Sequence, residues 1–341
     1  MQKFQNHNIK EFNTFHIAVN AREFIIIENS SELIELYKKN LFKNKFFILG
    51  SGSNLLFTKD FDGAIIQIDN RGIKVVNETP EHIFVESEAG EDWDEFVGKT
   101  MEMNAYGLEN LSLIPGSVGA SAVQNIGAYG VEAKDFIESV EFFHLEDGKF
   151  HKAVNSELGF KYRDSIFKHD LKDKAIVTKI TFKLNKKPAL KLEYADVLKE
   201  IESRGLDKNK LHPKELRNLI IDIRNNKLEN PKLIGNSGSF FKNPIISNDK
   251  IDELTKDYPS LKSNYVTDSE SKISAGWLIE QAGWKGWISI DKQYGVSPKH
   301  ALVIVNYSNA KGVDILTLAK HIKSSVKENF GVELEEEVII I

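Results

Sequence analysis

The sequence predicts two or three domains of mixed helices and strands, without a Rossmann dinucleotide-binding unit. The chain has 341 residues, which suits domains of roughly 100–200 residues each. Strand patterns and helix patterns alternate along it. The glycine-rich loop at residues 50–54 follows a strand, but Leu55 stands where the Rossmann fingerprint has its third glycine, and another strand follows in place of the required helix.

The composition is that of a globular enzyme rather than a nucleic-acid-binding or membrane protein. The net charge is −5 and the pI about 6.0, so no basic field attracts nucleic acid or anionic lipid. The absence of cysteine excludes disulfides, thiolate metal sites and cysteine nucleophiles. The N-terminus lacks the apolar stretch of a signal peptide, and no apolar run approaches the ~20 residues of a membrane span. We therefore expect a cytoplasmic enzyme that binds no nucleic acid and no membrane.

The predicted strands are short runs rich in β-branched and aromatic residues. In chain order they lie at residues 24–27, 46–49, 55–57, 64–68, 82–88, 140–145, 175–184, 301–305 and 338–341. A Glu-Asp-Gly turn at residues 146–148 makes a hairpin of the strand at 140–145 and the residues around Phe150.

The predicted helices carry apolar residues at helical spacing, and two of them have recognisable first turns. Ser31 can cap the helix at residues 32–39, and Pro213 suits the first turn of a helix that reaches about residue 225. Further helices are predicted at residues 92–104, within 155–165, and at 195–204, 275–282 and 313–329. The polar turn at residues 226–231 is the best domain boundary, and residues 235–239 are predicted to form a Gly/Ser loop.

Two segments poor in side chains indicate a ligand with phosphates. Residues 50–54 could form a nest of backbone N–H groups for an anion, or a plain glycine-rich turn, which is the simpler interpretation for this loop alone. Residues 114–130 contain four Gly, three Ala and two Ser, so backbone can approach a ligand closely. Gln124, Asn125 and Tyr129 add donors that suit a heteroaromatic ring. Together the segments favour a large nucleotide over two tight packing seams.

Ser239 is the hydroxyl that could carry chemistry in the Gly/Ser stretch before Phe240. A serine nucleophile needs a base, yet no histidine lies nearby in sequence and no G-x-S-x-G elbow is present. The hydroxyl could instead pass a proton to a carbanion as a general acid. It could also cap a turn, and spacing alone does not separate these two roles.

Charged residues offer one further candidate and argue against a metal site. Arg163 is one of six arginines and presents paired donors for a carboxylate or phosphate, although an ion pair with Asp164 or Glu157 would also explain it. The acidic run at residues 333–337 is typical of a solvated strand edge. The nine histidines show no H-x-H or H-E-x-x-H spacing, so no metal is expected.

Several of these segments together resemble the UDP-N-acetylenolpyruvoylglucosamine reductase family of flavoenzymes. The matching pieces, in the family's order, are NTF (13–15), GSGSNLLF (50–57), GLENLSLIPGSVGASAVQNIGAYG (107–130), YRDSIFK (162–168), GNSGSFFKNP (235–244), SAGWLIEQAG (274–283) and LEEEV (334–338). The segment at residues 192–196 resembles the tyrosine loop of the longer, type I branch. The chain departs mildly from the family pattern at Ser51, Ser237 and Glu336, where Gly, Ala and Pro are common.

The resemblance implies an α+β fold, with an FAD-binding region of the vanillyl-alcohol-oxidase type and a C-terminal substrate-binding domain. The expected regions are residues 1–69 together with the strand at 333–341, residues 70–228, and residues 229–332. The residues implied to hold FAD are Gly50, Ser51, Gly52, Ser53, Asn54, Leu55, Pro115, Gly116, Ser117, Gly119, Ala120, Gln124, Asn125, Gly127 and Ala128. Those implied to hold the substrate are Tyr194, Lys227, Asn243 and Gln281, or Glu280 in place of the last.

The activity implied by the resemblance is reduction of the enolpyruvyl ether of UDP-N-acetylglucosamine in peptidoglycan precursor synthesis. FAD would be the bound cofactor and NADPH the hydride donor. Arg163 and Glu337 would stabilise an enolate-like intermediate, and Ser239 would donate the proton to C2. The UDP sugar is the expected partner of a monomeric chain. The rivals are a flavin oxidase that uses O₂ and a flavin- or UDP-sugar-binding module without catalysis.

Overall fold

The structure, a computed structural model, describes all of residues 1–341, and they group into two compact units. The first unit comprises residues 1–7, 21–51 and 61–225, and the second comprises residues 8–20, 52–60 and 226–341. The division into three regions that the resemblance implies stays a prediction. No helix is both long enough and apolar enough to span a bilayer.

The secondary structure is divided between nineteen strands and eight α-helices. The strands are β1 (Gln2–Asn8), β2 (Asn20–Ile27), β3 (Phe46–Leu49), β4 (Leu55–Leu56), β5 (Phe61–Ile68), β6 (Ile73–Glu78), β7 (His82–Glu88), β8 (Gly127–Ala128), β9 (Val131–Glu132), β10 (Ile137–His144), β11 (Lys149–Val154), β12 (Ala175–Asn185), β13 (Gly235–Ser239), β14 (Ile245–Ser247), β15 (Ser263–Thr267), β16 (Glu270–Ile273), β17 (Tyr294–Val296), β18 (Val303–Asn306) and β19 (Ile339–Ile340). The helices are α1 (Glu32–Lys38), α2 (Trp93–Glu102), α3 (Val118–Val123), α4 (Ala195–Ser203), α5 (Pro213–Lys227), α6 (Asn248–Asp257), α7 (Ala275–Gln281) and α8 (Gly312–Phe330).

The first unit contains two larger sheets and the two-stranded sheet of β8 and β9. The smaller has the order β1-β2-β5-β3, in which β2 and β3 both pair in parallel with β5. The larger is antiparallel with the order β11-β10-β12-β7-β6, and α3 packs on β12 and β7. The core of this sheet includes Trp93, Phe96 and Phe182, with the last two ring centroids 4.8 Å apart. Such burial of large apolar side chains is the main stabilising contribution.

The second unit is built from small antiparallel sheets and α8. Strand β18 lies between β13 and β17, and β16 lies between β14 and β15. Helix α8 packs on α7, β17 and β18, and buries Ile315, Leu318, Ile322 and Val326, whose spacing forms one helical stripe. The short strand β19 pairs in parallel with β4.

Two sequence predictions are corrected here. Residues 235–239 form β13 rather than a loop, because Gly235 and Asn236 pair with Asn306 and Val305 of β18. The short helix predicted within 155–165 forms only as one 3₁₀ turn at Asn155–Glu157, and a second 3₁₀ turn follows that range at Ile166–Lys168. The absence of a Rossmann unit is confirmed, because a strand, β4, follows the 50–54 loop.

Candidate active site

In the first unit, the two predicted phosphate loops meet. A Cβ atom at Gly50 would stand 2.6 Å from Ser117 Oγ, so the loop after β3 runs against the segment that precedes α3. The two loops line one cavity, together with residues from β5 and the start of α2. The lining residues are Gly50, Ser51, Gln67, Ile68, Asp69, Arg71, Gly90, Asp92, Gly116 and Ser117. Four predicted cofactor residues thus share one cavity.

Close packing within the protein itself explains the glycine at position 119. Its N–H donates to the carbonyl of Ala89 at 2.8 Å, and a Cβ there would stand 2.7 Å from Ala89 Cβ. The neighbouring N–H of Val118 donates to the carbonyl of Glu91 at 2.8 Å. The close approach at Gly119 is therefore between two backbone segments of the first unit. Pro115 and Ala120, which flank this segment, are exposed.

Hydrogen bonds from Asn125 and Arg163 fix the segment after α3. The Asn125 amide donates to Glu132 and to the carbonyl of Lys161, and its oxygen accepts from the N–H of Lys134, so its polar atoms are used within the protein. Arg163 donates to the carbonyl of Gly127 at 2.7 Å and lies 3.4 Å from that of Asn125. Asp164, a predicted alternative partner, contacts His169 at 2.8 Å.

The backbone at this segment is strained. Asn125, Tyr129 and Arg163 have φ values of 47°, 49° and 54°, in the left-handed region that favours glycine. Each such residue costs about 1–3 kcal/mol, and such residues concentrate at functional sites. The predicted cofactor residues Gly127 and Ala128 form β8 and pair with β9, while Gln124 is half-buried at the end of α3.

Two tyrosine rings and the half-buried Arg224 lie at the Tyr129 end of this segment. The rings of Tyr129 and Tyr194 meet edge to face, with centroids 5.4 Å apart. Burial raises the pKa of the Tyr129 hydroxyl, and the hydrogen-bonded Arg224 opposes that rise. Arg224 also donates to the carbonyl of Leu113 at 3.1 Å. Sequence reasoning missed Arg224, although the scarcity of arginine and its place one helical turn before Lys227 on α5 were available signals.

In the second unit, Ser239 and Glu337 lie on adjacent antiparallel segments. Phe241 bridges to Glu336, and the N–H of Glu337 donates to the carbonyl of Phe240 at 2.9 Å. Phe240 and Phe241 are buried and fix this pairing, while Ser239 and Glu337 are half-buried. Ser239 is the last residue of β13 rather than a helix cap.

The other half of the 50–54 loop lies beside Glu337. Asn54 Nδ2 donates to the carbonyl of Glu337 at 3.1 Å, and the N–H of Ile339 donates to the carbonyl of Asn54 at 3.1 Å. Leu55 pairs with Ile339, whereas Ser53 is half-buried in the turn. Gly52 has φ +69°, and a Cβ there would collide with the carbonyl of Phe12. The structure therefore brings Asn54 of this predicted cofactor segment next to Glu337, one of the three predicted catalytic residues.

Of the other glutamates in the acidic run, Glu333 and Glu335 are exposed and Glu336 is half-buried, and the run forms only an isolated bridge rather than the predicted strand edge. Glu333 pairs with Lys327, Glu335 with Lys242 and Glu336 with Lys323.

The predicted substrate residues are distributed over both units. Tyr194, in the first unit, precedes α4, and Lys227 ends α5 on the exposed surface in the second. Asn243 Oδ1 accepts from the N–H of Ala275 at 3.0 Å and so supports the start of α7. Gln281 is exposed at the other end of that helix, about 9 Å along its axis. Glu280, the alternative to Gln281, pairs with Lys285 at 2.9 Å.

Comparisons with known proteins match the two halves of the chain to different family models. The family model described as FAD binding domain matches residues 22–153. The model described as UDP-N-acetylenolpyruvoylglucosamine reductase, C-terminal domain, matches residues 228–341. The predicted fold class, an FAD-binding region of non-Rossmann type followed by a C-terminal domain, is confirmed.

Relatives at full length carry the same name. The UDP-N-acetylenolpyruvoylglucosamine reductase of Flavobacterium johnsoniae is 43% identical over 342 residues, which cover 100% of both chains. That of Bacteroides fragilis is 41% identical over 341 residues, covering 99% of each. The crystal structure of the reductase from Thermus caldophilus is similar in fold, with a TM-score of 0.66 and 24% identity over 99% of this chain and 98% of that one. The chain therefore belongs to the UDP-N-acetylenolpyruvoylglucosamine reductase family.

Proposed function

We propose that this chain reduces the enolpyruvyl ether of UDP-N-acetylglucosamine to UDP-N-acetylmuramate, with FAD as its bound cofactor and NADPH as the hydride donor. Two full-length relatives above 40% identity carry the name of this reductase. The observation that carries the chemical proposal is the backbone pairing that holds Ser239 beside Glu337 and the Asn54 loop. The proposed location is the cytoplasm, and the proposed state is a monomer.

The loops of the first unit suit a cofactor with a diphosphate. Gly50 and Ser117 face each other without room for a further side chain, and hydroxyls from Ser51 and Ser117 line the adjoining cavity. The residues that would hold FAD are those of the loops at 50–55 and 115–120 and the strained segment at 124–128. FAD held there would supply the hydride chemistry, from NADPH to C3 of the enolpyruvyl group.

Arg163 is proposed to stabilise the negative charge that forms on the substrate carboxylate after hydride addition. Its guanidinium is oriented by the carbonyl of Gly127 and stacks within 5.3 Å of the Tyr162 ring. A preorganised donor of this type contributes roughly 10²–10³ in rate. Glu337 is proposed to act with it, and its main chain is fixed on both sides by Phe240 and Asn54.

Ser239 is proposed as the acid that protonates C2. A general acid contributes typically about 10²–10⁴ in rate. Its place at the end of a strand supports this role, because a hydroxyl on a sheet is positioned more firmly than one in a free loop.

The UDP moiety is proposed to bind Tyr194, Lys227, Asn243 and Gln281. Lysine binds phosphate as a point charge, and Lys227 ends a fifteen-residue helix that presents it at the surface. The exposed ring of Tyr194, which precedes α4, suits a contact that closes over bound substrate.

Anaerobic spectroscopy of the purified protein tests the proposal. The expected protein is yellow, loses its flavin absorbance when NADPH is added, and regains it on addition of the enolpyruvyl UDP sugar. NADH in place of NADPH tests the nucleotide preference. Recovery of absorbance by O₂ but not by the UDP sugar would favour a flavin oxidase, and a protein that takes up no FAD would overturn the proposal.

A further inference from the structure

The hairpin of β10 and β11 brings two histidines and an aspartate together at its turn. In the strand register His144 lies opposite Lys149 and Phe142 lies opposite His151, so both histidines share one face as diagonal neighbours. Asp147 lies in the turn between the strands. His151 Nε2 lies 2.8 Å from one oxygen of Asp147, and His144 Nδ1 lies 3.4 Å from the other.

The three side chains have the spacing of ligands around a metal ion. Their ligand atoms all lie within 4.8 Å of one another. Bonds of 2.0–2.2 Å to a tetrahedral ion place ligand atoms about 3.3 Å apart. The distance from His144 Nδ1 to Asp147 is close to this at 3.4 Å, and that from His151 Nε2 to Asp147 is shorter at 2.8 Å. His144 Nδ1 is buried and forms no well-aligned hydrogen bond, and the polar atom nearest to it among these ligands is Asp147 Oδ1 at 3.4 Å.

The surroundings hold these ligands in place. The ring of Phe142, which is buried, stacks on His151 with centroids 5.8 Å apart and meets His144 edge to face at 6.4 Å. The N–H of Lys149 donates to Asp147 Oδ1 at 3.1 Å and orients the carboxylate. Asp147 and His151 are 39% and 44% exposed, so an ion could enter from solvent. Groups that orient ligands in this way typically strengthen metal binding.

We propose that His144, Asp147 and His151 form a site for one divalent transition-metal ion, of the class of Zn²⁺, with its remaining position open to solvent. Two imidazoles and one carboxylate suit such ions. The expectation that the chain holds no metal was based on short histidine motifs, whereas the two histidines are seven residues apart, with Asp147 between them, and meet through the hairpin register.

Charge near the site gives a further expectation. Lys149 lies across from His144 on the same face, and its ammonium group opposes a bound cation. Glu146, also in the turn, lies 3.5 Å from Lys174. Lys149→Gln should therefore bind Zn²⁺ more tightly than the wild type.

Calorimetric titration of the untagged full chain with Zn²⁺ tests the site. We expect one ion per chain, an upward shift of the thermal unfolding midpoint with Zn²⁺, and affinity reduced about tenfold or more in His144→Gln and in His151→Gln. His169→Gln is the matched control, because His169 contacts Asp164 at 2.8 Å without a second histidine. Its affinity should equal that of the wild type.

Two results would overturn the proposal. One is the absence of saturable Zn²⁺ binding to the wild type. The other is wild-type affinity in both histidine variants. His151→Gln replaces a largely exposed side chain, so it keeps the test valid if His144→Gln fails to fold.

Discussion

Replacing Ser239 with alanine should separate a proton donor from a structural hydroxyl. The structure places Ser239 at the end of β13, half-buried, and not at a helix N-terminus, so the loss of a cap does not arise. Substitutions of this kind change stability by about 0.5 kcal/mol or less, which corresponds to roughly 1–2 °C in melting temperature. Reduction of the enolpyruvyl substrate should instead fall about 10²–10⁴-fold, which is equivalent to about 3–5 kcal/mol in activation free energy.

The assay measures the two half-reactions separately by rapid mixing, together with thermal unfolding. Oxidation of NADPH should be unchanged, because that step needs no acid at C2, whereas oxidation of the reduced flavin by the substrate should collapse. Ser237→Ala is the matched control, since Ser237 lies two residues earlier on the same strand and is 8% exposed. A Ser239→Ala enzyme that reduces substrate as fast as the Ser237→Ala enzyme would refute the reasoning.

Three further predictions follow from individual residues. Arg163→Lys should lower substrate reduction about 10²–10³-fold and spare NADPH oxidation, and stopped-flow measurements showing equal loss in both half-reactions would indicate a structural role. Gly52→Ala should lower the melting temperature more than Gly130→Ala, because both have positive φ but only the Cβ at Gly52 meets a backbone oxygen, that of Phe12; equal effects would contradict this. Burial raises the pKa of Glu109, so the fold favours its protonated form. The stabilisation from this group is therefore complete at low pH and is lost as the pH rises through the raised pKa. Urea unfolding at about pH 4 and about pH 7 should therefore show that the free energy of unfolding of Glu109→Gln, relative to that of the wild type, is higher at the higher pH. The same difference between the two proteins at both pH values would contradict this prediction.

Periodicity in the sequence predicted the elements that carry large apolar side chains. Helix α8 was expected at residues 313–329 and forms at Gly312–Phe330, because its buried residues recur at helical spacing. Strand β13 was missed because its residues are glycine, asparagine and serine, which carry no apolar alternation. Its pairing comes instead from β18, more than sixty residues later in the chain.

Placement of side chains in the candidate site depended on long-range pairing that sequence does not specify. The resemblance pointed to Ser239 and Glu337 by motif, yet nothing in the ninety-odd residues between them predicts that Glu337 donates its N–H to Phe240. Arg224 lies on an ordinary polar helix in sequence, and only its contact with Tyr129 and Leu113 relates it to the site. The cluster of His144, Asp147 and His151 likewise depends on the hairpin register.

Glycine patterns combine two physical requirements that sequence cannot distinguish. At Gly50 the missing side chain lets its loop pack against Ser117, and both residues line a cavity that a ligand could occupy. At Gly119 the missing side chain lets two backbone segments bond to each other, which requires no ligand. A side chain at Gly119 would therefore disturb the packing against Ala89. Loss of the cofactor in such a variant would not by itself show that Gly119 contacts the cofactor. At Glu337 the position is set by main-chain bonds, because its N–H donates to the carbonyl of Phe240 and its carbonyl accepts from Asn54 Nδ2.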